Sequence, residues 1–351
     1  MNRKIREGFV LLLLLISLLV MNKSSYNITE IKEPFFIFLS FFSFVFLFYF
    51  EKKKSIKIAL LDLVILALPL FSIVMLPFLR YHSFAFHYVQ ISLSATMMYF
   101  SLRMIKPERL LSAFEVIGVL SAVYGILLYY EVDLLRLYPV PTGIRPPSFY
   151  GNSNFFAALL IPFILISLTK YFLAEDVSIL GIRLLFIGVE SYAIFLTRTR
   201  AAFVGLIPVL IAFLIIILIW KKRLWTRFIP LAMLAIAILF IVPSDYWGRI
   251  RSMTDIGKGT PMFRVYTWNS SLQIIKDNPM GVGPGNFRAY YPEYKSKQIF
   301  LFEGKHNAET IHAHSDPIES AVDLGILGFA LYLFMFIGFF FFFFRASSVA
   351  M

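Results

Sequence analysis

Apolar positions in this chain gather into long, nearly unbroken runs, separated by short polar or basic connections. Ten such runs can be read, at 8–21, 34–50, 58–79, 86–102, 114–130, 154–173, 179–196, 201–220, 229–242 and 323–344. A helix needs about 20 apolar residues to cross roughly 30 Å of hydrocarbon, and most runs approach or reach that length. Continuous runs exclude the alternating pattern of a membrane β-barrel, and in lipid only helices or closed barrels satisfy the backbone. The pattern therefore predicts an all-α integral membrane protein of about ten transmembrane helices, one polytopic domain over residues 1–351. One stretch breaks the pattern. Residues 244–322 form the only long polar segment and are expected to be a large extracytoplasmic loop containing short helices.

Composition agrees: 59% of residues are hydrophobic and the mean hydropathy is +0.77, far from the globular norm. The net charge of +12 does not point to nucleic acid, because the basic residues cluster at the ends of apolar runs. With the N-terminus inside, successive inner segments carry 3, 4, 3, 2, 4 and 1 Lys or Arg, against seven in the short outer connections. This bias places the N-terminus in the cytoplasm and residues 244–322 outside a cytoplasmic membrane. The first run has the basic start and short apolar core of a signal peptide but no small-x-small cleavage site, so it reads as an uncleaved helix. Cysteine is absent, which removes disulfides, thiolate nucleophiles and cysteine metal sites.

Three outer stretches carry candidate chemistry. Residues 131–154 are rich in Pro and Gly, contain Arg145, and end on Asn154 at the start of a helix, where the dipole favours an anion. Thr197-Arg198-Thr199-Arg200 sits between two apolar runs with almost no loop; two outer arginines run against the positive-inside bias. Either they serve a site or they snorkel to the headgroups. In the long polar segment, Thr260-Pro261 and Asn278-Pro279 bracket a helix predicted over 262–276, with Arg264, Trp268, Leu272 and Ile275 on one face. Gly281, Gly283 and Gly285 do not have dinucleotide spacing and read as a tight turn. His312-Ala-His314-Ser-Asp316 offers metal ligands on paper, but a helix would turn His314 about 200° away from His312. A structural role, or one histidine as a general base, are the other readings.

Taken together and in order, these pieces resemble the O-antigen ligase/polymerase family of membrane glycosyltransferases, over roughly residues 140–335. The pieces are Arg145-Pro-Pro-Ser-Phe-Tyr-Gly-Asn152-Ser-Asn154, then Thr199-Arg200-Ala-Ala-Phe-Val-Gly, and Arg264 four residues before Trp268. They continue with Asp277-Asn-Pro-Met-Gly-Val-Gly-Pro-Gly-Asn-Phe287, then His312-Ala-His314-Ser-Asp-Pro-Ile with Glu319 following, and Gly-Ile-Leu-Gly at 325–328. Where the family has Pro between the two asparagines and Asn after the last histidine, this chain has Ser153 and Ser315. The family also commonly carries two more helices after the large loop, so an end at Met351 reads as a truncated C-terminus.

The resemblance implies transfer of a glycan from an undecaprenyl-diphosphate donor to an acceptor hydroxyl on the outer face of the cytoplasmic membrane. The acceptor would be lipid A core, a growing glycan or a protein. Carried over onto this sequence, His314 would be the base; Arg200, Arg264 and Arg145 would bind the diphosphate; His312, Arg198 and Asn154 would support them. No metal or other cofactor is implied, and no nucleic acid; the remaining partners are membrane lipids. Two alternatives stand beside this reading. One is protein O-oligosaccharyl transfer within the same family. The other is a transporter or flippase of lipid-linked glycans, which would be expected to carry more charge inside its spans and repeated halves.

Overall fold

The computed structural model describes residues 3–21, 30–50, 58–138, 145–220, 222–241, 260–299 and 310–349. Among these, twelve α-helices and no strand occur. In chain order they are α1 (Arg3–Leu19), α2 (Lys32–Phe50), α3 (Leu60–Met75), α4 (Ser83–Arg103), α5 (Pro107–Tyr129) and α6 (Ser153–Leu173). They continue with α7 (Val177–Leu196), α8 (Arg200–Trp220), α9 (Phe228–Ile241), α10 (Thr260–Asp277), α11 (Phe287–Tyr294) and α12 (Asp316–Val349).

Each of the ten predicted runs overlaps a helix, but among the described residues seven helices are long and apolar enough to cross a membrane: 32–50, 60–78, 107–129, 153–173, 177–196, 200–219 and 316–335. Helices α1 and α9 fall short in length, at 17 and 14 residues. Helix α4 has 21 residues but intersperses Ser, Thr, Gln and His among its apolar positions. The protein is thus a multi-pass membrane protein by its helices. The segment expected as a large loop with short helices holds α10, α11 and the start of α12; residues 242–259 and 300–309, with His306 among them, lie outside the described residues.

The chain divides into two compact units, 1–39 with 102–254, and 40–101 with 255–351. In the first, α5, α6 and α7 pack on one another, α8 lies on α6, and α9 on α7. Their core is Phe156, Leu160, Ile164, Tyr171, Ile187, Ala193, Ile194 and neighbours. With lipid as apolar as leucine, such contacts stabilise by close van der Waals fit rather than by escape from water. Two of the buried carboxylates in this unit are matched by cations, the usual arrangement for intramembrane charge. Glu115 is met by Lys170 Nζ at 2.8 Å and by Arg183, and Glu7 by Arg3 and Arg109 at 2.6 and 2.7 Å.

In the second unit α12 packs on α3 and α10, and α11 on α10. The core joins Ile274, Val282, Phe287, Tyr291, Ala313 and Val322. Here the predicted last run is not one helix. Gly325 has φ 68° and ψ −167°, a conformation essentially reserved for glycine, and breaks α12 into two pieces. The Gly-rich turn docks against this break. Val282 and Gly283 donate their amides to the Val322 and Asp323 carbonyls at 2.9 and 2.8 Å, and Ile326 donates to Pro279 at 3.1 Å.

Candidate functional site

In the first unit the junction between α7 and α8 is three residues long. Thr197 ends α7 and donates its hydroxyl to the Ile194 carbonyl at 2.7 Å. Arg198 then takes φ 52°, the left-handed turn that commonly closes a helix and that costs a non-glycine residue about 1–2 kcal/mol. Arg200 opens α8 as an exposed residue. A guanidinium at the positive end of a helix dipole has the wrong sign to stabilise that helix.

Arg145 reaches this junction from the 131–152 connection. Its Nε donates to the Thr197 carbonyl at 3.0 Å, and its Nη2 to Asn154 Oδ1 at 2.7 Å and to Thr199 Oγ1 at 3.3 Å. The end of α7 and the start of α6 are thus tied through one guanidinium. Asn152, not Asn154, caps α6: its Oδ1 accepts the Asn154 amide at 2.8 Å. Ser153, which stands where the resembled family has proline, donates its hydroxyl to the Arg145 carbonyl at 2.7 Å. Arg145, Asn154, Arg198 and Arg200 are therefore brought to one end of the α6–α7–α8 bundle, with Arg145 and Asn154 bonded to each other.

In the second unit α10 begins at Thr260-Pro261 as predicted and ends at Asp277. The expected stripe holds only in part. Trp268 Nε1 donates to the Ala313 carbonyl at 3.0 Å, but Leu272, one turn on, is exposed. The inward face is instead Thr267, Ser270, Ser271 and Ile274, and the Thr267 and Ser271 hydroxyls bond back to α10 itself. Arg264, one turn before Trp268, has a buried Nε with no hydrogen-bond partner among the described residues.

The histidine turn is built around Ala313, which is fully buried. Its carbonyl is held by Trp268 and its amide by Glu319 Oε2 at 2.9 Å. The other Glu319 oxygen lies 2.8 Å from His312 Nδ1, and a carboxylate can only accept there. With the central residue pinned on both sides, His312 and His314 stand exposed on either side of it. His314 takes φ 54°, and its ring lies edge-on to Phe263 at 5.9 Å.

The two imidazoles are driven apart electrostatically. The hydrogen bond to Glu319 holds His312 above the ordinary histidine pKa. Partial desolvation, then the charge of Arg264, pushes His314 below it. Opposite shifts in adjacent titratable groups are how one site holds a proton donor beside a neutral base. Glu319 is the residue that the sequence reading left without a role. Its signal was an acidic residue in the first turn of a helix that follows the histidines.

The Gly-rich turn cannot cradle a phosphate. Asp323, buried beneath it, accepts the amides of Gly285 and Phe287 at 2.7 and 2.8 Å, while those of Gly281, Val282, Gly283 and Asn286 bond to backbone carbonyls. Every one of these donors is consumed, and the turn serves to fix α11 against α12. Among the described residues no three His, Asp or Glu side chains come together as a metal-ligand set.

Compared with known proteins, the chain matches the family model of the O-antigen ligase over residues 184–333. That span takes in Arg198, Arg200, Arg264, His312, His314 and Glu319; Arg145 and Asn154 precede it. No curated protein and no solved structure matches the chain. A helical bundle with several membrane-length helices, and a matched span that reaches from α7 into α12 and holds the candidate arginines and histidines, give one conclusion: over residues 184–333 this chain is similar to the O-antigen ligase family, which points to a membrane glycosyltransferase-like enzyme.

Proposed function

We propose that this protein transfers an oligosaccharide or polysaccharide from an undecaprenyl-diphosphate donor to an acceptor hydroxyl on the outer face of the cytoplasmic membrane. The acceptor oxygen attacks the anomeric carbon, the bond from that carbon to the phosphate oxygen breaks, and the diphosphate leaves with the electron pair. His314 takes the hydroxyl proton as attack proceeds. Arg264, Arg200 and Arg145 are the cations assigned to the diphosphate. Guanidinium groups are permanently charged and match phosphate oxygens two at a time, so charge growing on the leaving group is met as it forms.

One observation carries this reading: a histidine whose backbone is clamped through Ala313 and whose pKa is lowered by partial desolvation and then by the charge of Arg264. The lowering leaves the imidazole neutral, and so able to accept a proton, over more of the pH range. The buried, unpartnered Nε of Arg264 supports an anion role, since an unmade charged donor costs about 1–3 kcal/mol or more. Arg200 at the head of α8 has the same sense, because an arriving anion would reverse its unfavourable meeting with the dipole.

The test is transfer from a purified polyprenyl-diphosphate glycan by membranes carrying His314→Ala or Arg264→Gln. Both variants are expected to insert normally and to lose at least about a hundredfold in rate, the scale of general-base and charge-stabilising contributions. Wild-type transfer is expected to fall on the acid side with a midpoint below about pH 6.5, the ordinary histidine value. Full transfer by both variants would sink the mechanism.

A further inference from the structure

Arg288 was not among the residues singled out by sequence, yet its backbone is carried by a firmly bonded stretch of the second unit. It is the second residue of α11, and the amides immediately before it, Gly285 and Phe287, are both fixed by the buried Asp323 carboxylate. Asn286 adds two more ties, donating its side-chain amide to the Tyr81 and Val282 carbonyls, each at 3.0 Å. The Arg288 guanidinium carbon stands 4.5 Å from the centroid of the Phe84 ring. Stacking on an aromatic face sets the plane of the group and leaves its N–H edges pointing away from the ring.

No carboxylate answers this charge among the described residues. The nearby Glu293 pairs with Arg80 instead, at 3.7 Å, and both Glu319 oxygens are taken by His312 and Ala313. Arg288 is exposed, and its charge is felt at His312, where it opposes protonation. Arg264 acts on His314 in the same sense. Each imidazole of the turn therefore has one guanidinium in its field, and neither guanidinium has an acidic partner among the described residues.

We propose that Arg288 is an anion-binding residue of the histidine turn, taking a phosphate group in the planar, two-point manner of a stacked guanidinium. The choice of ligand rests on the transferase reading, which supplies two sources of that chemistry: the diphosphate of the donor and a phosphate substituent on the acceptor. The second unit then holds two candidate anion-binding arginines, Arg264 in the field of His314 and Arg288 in that of His312, where the sequence offered only Arg264.

The experiment uses the full chain in detergent, inorganic pyrophosphate as the probe, and the variants Arg288→Gln, Arg288→Lys and Arg288→Met. Arg288→Met keeps an apolar cover on Phe84 without the charge, so it separates loss of packing from loss of binding. Pyrophosphate affinity is expected to fall about tenfold in the Gln and Met variants, with Lys in between, as the loss of one charge-assisted contact predicts. In steady-state transfer, a raised donor KM with the acceptor KM unchanged identifies the donor diphosphate as the source. A rise in KM confined to phosphorylated acceptors identifies the acceptor. Pyrophosphate affinity within twofold of wild type in both the Gln and Met variants overturns the proposal. Undiminished transfer by Arg264→Gln and His314→Ala would count against the transferase reading, and leaves the pyrophosphate result to decide the anion site by itself.

Discussion

The α7–α8 junction and the histidine turn are both short, both hold a residue in left-handed backbone, and both have arginine close by, yet they use their polar groups in opposite ways. At the junction Arg145, which sequence offered as a ligand, also serves as a strut. Arg145 bonds to the Thr197 carbonyl, Asn154 and Thr199, and so joins two helix ends. At the turn the backbone is the strut: Ala313 is pinned by Trp268 and Glu319, and the side chains on either side are left exposed. Motif residues thus divide into those that hold and those that are held out. Only the direction of their hydrogen bonds tells the two apart.

The comparison breaks first if the scaffold under the turn fails. Gly325 lets the Gly-rich turn approach the broken α12. A Cβ there would stand 2.4 Å from the Met280 carbonyl carbon and 2.6 Å from the Pro279 oxygen, both backbone atoms that cannot swing away. Gly325→Ala is therefore expected to cost more than about 3 kcal/mol, combining backbone strain with a clash, and to lower the thermal midpoint sharply in detergent. Gly181→Ala in α7 is the control. Its Cβ would meet nothing within 4 Å, and removing a helix-interior glycine should leave stability equal or higher by up to about 1 kcal/mol. Equal melting of Gly325→Ala and wild type would show that the break does not hold the turn.

What could be read from sequence follows the same division. Helix order was legible because long apolar runs have few alternatives in lipid, and the limits of α10 were legible because Thr260-Pro261 and Asn278-Pro279 are local signals. The break at Gly325 was not legible: it lies inside an apolar run, and its cause is the docking of residues some forty positions earlier. Within the candidate site, residue types and order were legible, but roles were not. Nothing local says that Asn152 rather than Asn154 caps α6, that Arg145 spends its donors on Thr197, or that Glu319 faces back toward His312. Glu115 and Glu190 differ in the same way: both are buried acids in spans, yet only Glu115 meets cations, and that depends on neighbours from two other helices.

A second measurement sharpens the comparison at the junction. As a strut, Arg145 needs its forked geometry and not merely its charge. Arg145→Ala is expected to lose about 1.5–3 kcal/mol, the range for hydrogen bonds made by a charged donor. Arg145→Lys should recover less than half of that loss, because one ammonium cannot satisfy the Thr197 carbonyl and Asn154 Oδ1 in the positions they hold. Stability and transfer are to be measured on the same preparations. Lysine restoring both in full would make Arg145 a simple point charge, and the contrast with the turn would collapse into two versions of one anion site.

The smallest effect tests the turn itself through pH. His312 is held above the ordinary histidine pKa by its bond to Glu319; Asp323 on α12 acts in the same sense, and burial and Arg288 on α11 oppose it. A histidine with a raised folded pKa adds stability that is fully present below about pH 6.5, the unfolded value, and is lost as pH rises through the folded one. His314 has the reverse sign, since its depressed pKa makes folding costlier as pH falls below about 6.5. With His312 63% exposed, screening limits its share to about 1 kcal/mol or less. Glu319→Gln keeps an acceptor for the Ala313 amide but removes the charge opposite His312. The stability gap between wild type and Glu319→Gln, followed by thermal melting in detergent, is expected to be wider near pH 6 than near pH 8.5. A gap of the same size at both would mean that Glu319 acts on the turn through the Ala313 amide alone, and that the proton on His312 is no part of how the turn is held.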